Sequence, residues 1–255
     1  MTTTTAPRVI VERRDRVLLV RMDRTAKRNA VDATMTAALD GALNELEDDP
    51  DLWCGVLTGG PEVFCAGTDL AEGPGAPTPR GGNYGVVRRR RTTPLIAAVE
   101  GVAYGGGFEI VLACDLVVAG ESARFGLPEV ARGVVANCGA LFRAPRPLPL
   151  NVAKQMLLTG RPLAAARAHE LGLVSELVPD GGAEAAALAL AAAICANSPV
   201  AVGATLAAVE RVAGAGDELG WAATAEAAAV TDPSADRAEG IAAFLEKREP
   251  RWTGR

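Results

Sequence analysis

Residues 94–119 read PLIAAVEGVAYGGGFEIVLACDLVVA, and this stretch decides the architecture. Leu95 to Val99 is an apolar run without alternation, as expected of a strand covered on both faces. Gly101 ends it. A glycine-rich turn follows at Gly105-Gly106-Gly107, and the segment from about Gly106 to Ala113 predicts a helix. Leu116 to Ala119 is a second fully apolar strand. Strand, helix and strand in so short a span imply crossover connections and a largely parallel sheet.

Working outward, Val9-Ile10-Val11 and Val17-Leu18-Leu19-Val20 flank the polar turn Arg13-Arg14-Asp15-Arg16 and predict a strand pair. Asp32 is placed to cap a helix whose apolar positions are Met35, Leu39, Leu43 and Leu46. Trp53 to Thr58 predicts a short strand, ended by Gly59-Gly60-Pro61. Residues 71–85 carry many Gly and Pro and almost no large apolar side chains, which predicts a mobile loop. Pro145, Pro147 and Pro149 mark a joint. Beyond it the pattern is helical over 151–159, 163–171, 182–196, 200–213, 218–230 and 234–247, with Leu173 to Val178 as the one extended stretch. The expected class is α/β with a helical C-terminal region.

A chain of 255 residues, 49% hydrophobic, buries roughly three quarters of its unfolded surface without staples. The net charge of −5 argues against nucleic acid or an anionic membrane as partner. Five cysteines in apolar surroundings, odd in number and without CxxC spacing, read as reduced thiols. Met1 to Pro7 is polar and Thr-rich, unlike a signal peptide, and the apolar run Ala185 to Ala196 is too short to span a bilayer. These features predict a soluble cytoplasmic protein. The single histidine, His169, sits at a helix end and reads as structural, which leaves neither a zinc site nor a Ser/His/Asp triad. No phosphate-binding P-loop or GxGxxG turn is present. The run Arg88 to Arg91 reads as a solvated helix face or, more sharply, as a phosphate contact.

Two glycine-rich turns remain, Val63 to Leu70 and Gly101 to Glu109, each where a strand gives way to a helix. Backbone N–H groups at a helix start have no intrahelical partner and can point at an anion. Two such turns facing one another would offer two donors to one carbonyl oxygen, where the loss of one donor costs about 3 kcal/mol of barrier lowering. Glu109 lies three residues after Gly106, on the same helix face. Glu129 follows Pro128, which restricts the approach of the chain. Two carboxylates beside an activated carbonyl compound can share proton abstraction and delivery.

These residues carry a resemblance. Val56-Leu57-Thr58-Gly59, Phe64 to Leu70, Pro94 to Gly101, Gly105 to Glu109, Ala113-Cys114-Asp115 and Phe125 to Glu129 resemble the crotonase (enoyl-CoA hydratase/isomerase) superfamily. So do Arg28-Asn29-Ala30, Leu158-Thr159-Gly160, Ala168 to Val174 and Phe244 to Arg248, so the likeness covers nearly the whole chain in family order. It implies a crotonase-like ββα spiral core over residues 1–195 and a helical C-terminal oligomerisation region over 196–255, assembled as a homotrimer or hexamer. It also implies an acyl-CoA thioester substrate, as in fatty acid and lipid metabolism.

In the implied site, the N–H groups of Thr68 and Gly106 form the oxyanion hole and Glu109 and Glu129 are the catalytic pair. The CoA moiety would lie along Ala26, Lys27, Arg28 and Ala30 and along Ala66, Gly67, Asp69 and Leu70, with Gly105 beside it. Coenzyme A is part of the substrate, and neither a metal nor another cofactor is expected. The implied reaction is hydration of a 2,3-enoyl-CoA. Glu109 deprotonates the water that attacks C3, and Glu129 delivers a proton to C2. Isomerisation or other enolate chemistry, and acyl-CoA binding without turnover, are the competing readings. Asn137 and Cys138 depart from a run where family hydratases carry glycines, and predict a reshaped acyl pocket or a crowded water position. Arg24-Thr25 lacks a proline often found in the family.

Overall fold

A computed structural model of the protein describes residues 7–255; the signal-peptide reading of residues 1–6 lies outside them. The main sheet is built from β1 (Val9–Arg14), β2 (Val17–Met22), β3 (Cys54–Thr58), β4 (Leu95–Val99), β6 (Leu116–Gly120) and β9 (Glu176–Val178), in the order β1-β2-β3-β4-β6-β9. β1 and β2 form an antiparallel pair, and every other neighbour is parallel. The apolar runs have their expected cause. Leu18, Val20, Leu57, Ala97, Val99, Val117 and Ala119 face one core, while Val17, Leu19, Cys54, Val56, Ile96, Ala98 and Val118 face another. With both faces covered, no alternation survives in the sequence.

Helix α1 (Ala33–Asp48) packs on the first face. Asp32 caps it by accepting from Met35 N at 2.8 Å, and Met35, Leu39, Leu43 and Leu46 form its buried stripe. The second face is covered by α6 (Ala183–Cys195), whose Ala183, Ala187 and Ala191 recur every fourth residue and let the helix sit close to the strands. Among the described residues no single helix is long and apolar enough to cross a membrane. The apolar pair α6 and α7 (Pro199–Ala213) bends by 107° at its break.

A second sheet was not foreseen. Its strands β5 (Val102–Tyr104), β7 (Arg124–Gly126) and β8 (Leu163–Ala164) are two or three residues long, too short to show a period. The helix expected over 163–171 is therefore corrected: Leu163 and Ala164 pair with Phe125 and Arg124, and α5 begins at Ala165 and ends at Glu170. Just after the proline joint, α4 (Leu150–Thr159) packs against the turn Pro128–Arg132. Phe64, Phe108 and Phe125 are fully buried, the last two with ring centroids 5.4 Å apart. His169 Nδ1 lies 2.9 Å from Val174 O, a structural contact.

The arginine run is also corrected. It forms no helix, and alternate members turn inward. Arg89 pairs with Asp40 of α1, and Arg91 pairs with Asp115. Arg88 stacks on Trp221 at 3.8 Å. Nor is the stretch 71–85 loose throughout: Gly81, Gly82, Tyr84 and Gly85 are buried, and Thr78 exchanges two backbone hydrogen bonds with Gly82.

Candidate active site

Three parallel segments end side by side. Cys65 pairs with Ala103 of β5, and Ala103 pairs with Phe125 of β7. Continuing these registers by three residues sets Thr68 beside Gly106. Glu129 follows three residues after Gly126, the partner of Tyr104. Ligands of parallel sheets are held at such carboxyl ends.

The approach of the first two segments is close: a Cβ on Gly67 would lie 3.4 Å from Gly106 N and 2.8 Å from Tyr104 O. Gly67 itself has φ +102, a conformation suited to glycine. Val31 binds the outer side of this segment, donating to Gly67 O at 2.8 Å and accepting from Asp69 N at 3.0 Å. Val31 thus bonds the residues on either side of Thr68 and leaves the Thr68 N–H unused in that bridge. Gly106 begins α2 (Gly106–Val111), so its N–H has no partner within the helix.

Both acids reach this corner. Glu109, in the first turn of α2, is only 2% exposed. Its Oε1 accepts from Cys138 N at 2.7 Å and from Ala140 N at 3.1 Å, the latter at the start of α3 (Ala140–Arg143). Glu129 sits on a 3-10 turn, Pro128–Arg132, and its buried Oε2 meets no donor among the described residues. Its Oε1 faces Gly105, where a Cβ would approach within 3.1 Å; Gly105 has φ +54 and ψ −127, which also calls for glycine. Burial raises both carboxyls above their ordinary range. For Glu109 the charge of Glu129 adds to burial, while the two amide donors work against it. For Glu129, its own amide and Arg132 partly offset burial.

One cavity of about 370 Å³ is lined by Ala66, Gly67, Thr68, Asp69, Leu70, Gly105, Gly106, Glu109 and Glu129. The four residues of the early turn lie outside that lining. Ala26, Lys27 and Arg28 are exposed and Ala30 half-buried, joined to the site where Ala66 N donates to Arg28 O at 2.9 Å. Asp69 has a structural task as well. Against the effect of burial, the hydrogen bond from Arg24 at 2.7 Å and those from the Ala71 and Glu72 amides hold its carboxyl below the usual range.

Asn137 and Cys138 line the cavity, Cys138 also supplying the amide that holds Glu109. Tyr84, Arg132, Arg237 and Phe244 line it too; the sequence places the 71–93 stretch and the C-terminal helices around the pocket but singles out none of these four as site residues. Tyr84 did carry a signal, as a lone aromatic amid glycines. The last two arrive on α9 (Ala235–Glu246), which folds back onto the Pro128–Arg132 turn, a long-range packing that no local pattern announces.

A larger cleft of about 630 Å³ lies between Arg88–Thr92 and helices α7 and α8 (Asp217–Thr231). Its lining mixes Arg88, Arg90 and Arg211 with Glu210 and Glu218, Arg91 pairs with Asp115 and Arg146 with Asp217, and neither Glu109 nor Glu129 reaches it. Among the described residues no group of three or more His, Cys, Asp or Glu converges as metal ligands.

Residues 12–255 match the family described as enoyl-CoA hydratase/isomerase. The chain belongs to that family. An enoyl-CoA hydratase of Mycobacterium tuberculosis is 40% identical, the match covering all of this chain and 99% of the relative. A 2,3-dehydroadipyl-CoA hydratase of Escherichia coli is 37% identical over 97% of this chain and 99% of its own length. Among solved structures, a carnitinyl-CoA hydratase from Mycobacterium avium is 43% identical and superposes with a TM-score of 0.93, covering 98% of this chain and all of that one. The crotonase-like spiral core expected from the sequence is thus the family's own fold, and the cavity described here belongs to an enzyme of the enoyl-CoA hydratase/isomerase family.

Proposed function

We propose that the protein hydrates a 2,3-enoyl-CoA thioester, with the thioester oxygen held by the N–H groups of Thr68 and Gly106 and with Glu109 and Glu129 as the acid/base pair. One observation carries this reading: the buried Glu109, the half-buried Glu129, Thr68 and Gly106 line one cavity at the ends of three adjacent parallel segments. The amides withdraw charge from the carbonyl and make C3 electrophilic. Glu109, its orientation held by two backbone donors, takes the proton of the attacking water. Glu129, with an oxygen that finds no donor among the described residues, carries the proton delivered to C2 as enolate character develops. No metal or further cofactor enters the scheme. The exposed turn Ala26-Lys27-Arg28 with Ala30, next to Ala66, is assigned to the CoA moiety.

The relatives named above act on different acyl groups, so kinship supports hydration more strongly than any one acyl chain. Two acids favour hydration over isomerisation, because addition needs a proton removed from water and another delivered to carbon. We further assign residues 196–255 to assembly of a homotrimer or hexamer. Val200, Val209 and Val212 on α7 and Leu219 and Val230 on α8 are large apolar side chains left exposed in the single chain. A cytoplasmic setting suits the five free cysteines, of which Cys54, Cys65 and Cys114 are pushed up to about 12 by burial and stay neutral thiols.

The test is turnover of a panel of enoyl-CoA thioesters with labelled water. Oxygen incorporation at C3 is expected, and Glu109→Gln and Glu129→Gln should each lower it at least about a hundredfold. Unchanged turnover in both variants would overturn the assignment. Proton exchange at C2 without hydration would instead mark an isomerase, and tight acyl-CoA binding with neither would mark a binding protein.

A further inference from the structure

The stretch Gly81-Gly82-Asn83-Tyr84-Gly85 is held from behind by α1. Thr78 Oγ1 donates to Asp40 Oδ1 at 2.7 Å. The Arg89 guanidinium donates to Asn44 Oδ1 at 2.7 Å, to Asp40, and through Nε to Gly85 O at 3.3 Å. Gly85 lies so close to the helix that a Cβ there would sit 2.7 Å from both Asp40 N and Thr36 O. Tyr84 takes φ +58 and ψ +6, which L side chains rarely adopt. Residues held in such conformations by their surroundings cluster at functional sites.

This conformation aims the phenol into the active-site cavity, where it is 3% exposed. Its hydroxyl lies 2.8 Å from Thr68 Oγ1. It also lies against Gly106, where a Cβ would fall 2.3 Å from the oxygen. One hydroxyl therefore touches both residues whose amides are assigned to the thioester oxygen. The Thr68 backbone is tied on its outer side through Val31, and on the cavity side Tyr84 bonds its side chain. Burial, with Cys138 and Glu109 nearby, raises the phenol well above the ordinary tyrosine range, so it stays a neutral hydroxyl.

We propose that Tyr84 is a positioning residue for the thioester, its hydroxyl holding Thr68 through the threonine side chain so that the Thr68 and Gly106 amides converge on one oxygen. This rests on the assignment of those two amides made above. It gives the threonine at position 68 a role that the backbone donor alone would not require.

Tyr84→Phe keeps the ring and removes the bond. The expected result is a fall in kcat for enoyl-CoA hydration of about tenfold or more with KM changed less than about threefold, since the oxygen is gripped more tightly in the transition state than in the ground state. Thr68→Val should fall comparably, Thr68→Ser should lose less, and Tyr84→Phe added to Thr68→Val should cost little more than either alone. A second readout is the carbonyl stretching band of a bound acyl-CoA, which should move back toward its free position in Tyr84→Phe and in Thr68→Val. If the wild type hydrates its substrate and Tyr84→Phe matches it within twofold, or if the two losses multiply independently, the proposal fails while the assigned reaction stands. If the wild type hydrates no enoyl-CoA, the reaction assignment fails and the carbonyl band alone decides this one. Should Tyr84→Phe not fold, the same comparison is made with Thr68→Val against Thr68→Ser, and equal activity in those two overturns the proposal.

Discussion

Glu109 and Glu129 are poor choices for stability, and their burial suits the acid/base roles proposed for them. Burial raises both above the ordinary carboxylate value of 4.5, and the charge of Glu129 raises Glu109 further. A carboxyl raised in the folded state binds more protons there than in the unfolded chain. Between 4.5 and its folded value, stability therefore falls as pH rises. Glu129→Gln removes that penalty from one acid and relieves the other. Calorimetry should find the variant melting above wild type at pH 8 and level with it at pH 4. Each pKa unit recovered is worth about 1.4 kcal/mol, and each kcal/mol roughly 2–4 °C in a chain of this size. A variant displaced equally at both pH values would show that the glutamate carries no such penalty. Activity should follow a bell whose limbs both lie above the usual carboxylate range, because one acid must be ionised and the other protonated.

At the scale of elements, the alanine stripe of α6 shows how composition becomes geometry. Ala183, Ala187 and Ala191 are fully buried against strands that bring Val56, Ile96, Ala98 and Val118 to the same face. That face lies on the side of the sheet opposite α1. Ala187→Leu adds volume where there is none to spare and should destabilise by about 1–3 kcal/mol, read from urea unfolding. Its kcat and KM should stay near wild type, since the second core does not include the catalytic cavity. A large loss of kcat in the folded variant would mean that the two faces are mechanically coupled. The tightly packed elements around the site have the opposite design. β5 and β7 are three residues each, and their value lies in register: they set where the chain leaves the sheet, and so where Gly106 and Glu129 stand.

At the scale of the whole molecule, α7 has no buried residue in the single chain, although six of its fifteen residues are Val, Leu or Pro. A helix of that composition ordinarily buries a face. Assembly through residues 196–255 would cover it. The double change Val209→Asp and Val212→Asp, one turn apart on α7, should shift the species seen by light scattering from trimer or hexamer toward monomer. An unchanged assembly would remove α7 from the interface. α9 lies over the Pro128–Arg132 turn and contributes Arg237 and Phe244 to the cavity wall, so the same C-terminal region also shapes the site.

Much of this was legible in the sequence. Unbroken apolar runs revealed strands covered on both faces, because two-sided burial abolishes alternation. The Asp32 cap and the Leu39, Leu43, Leu46 spacing revealed α1, and the glycine-rich turns with Glu109 and Glu129 revealed the family. Each of these signals is local, written in a short run of neighbouring residues. What only the tertiary structure decided is non-local. The pairing of Cys65 with Ala103 and of Ala103 with Phe125 brings the ends of three distant segments together. The burial of Arg89 and Arg91 depends on Asp40 and Asp115, partners 24 to 49 residues away. The entry of Tyr84 into the cavity depends on α1 holding the turn behind it. Hydrogen-bond register and packing between remote segments leave no period in the chain, and they are what converts two glycine-rich turns and two acids into one site.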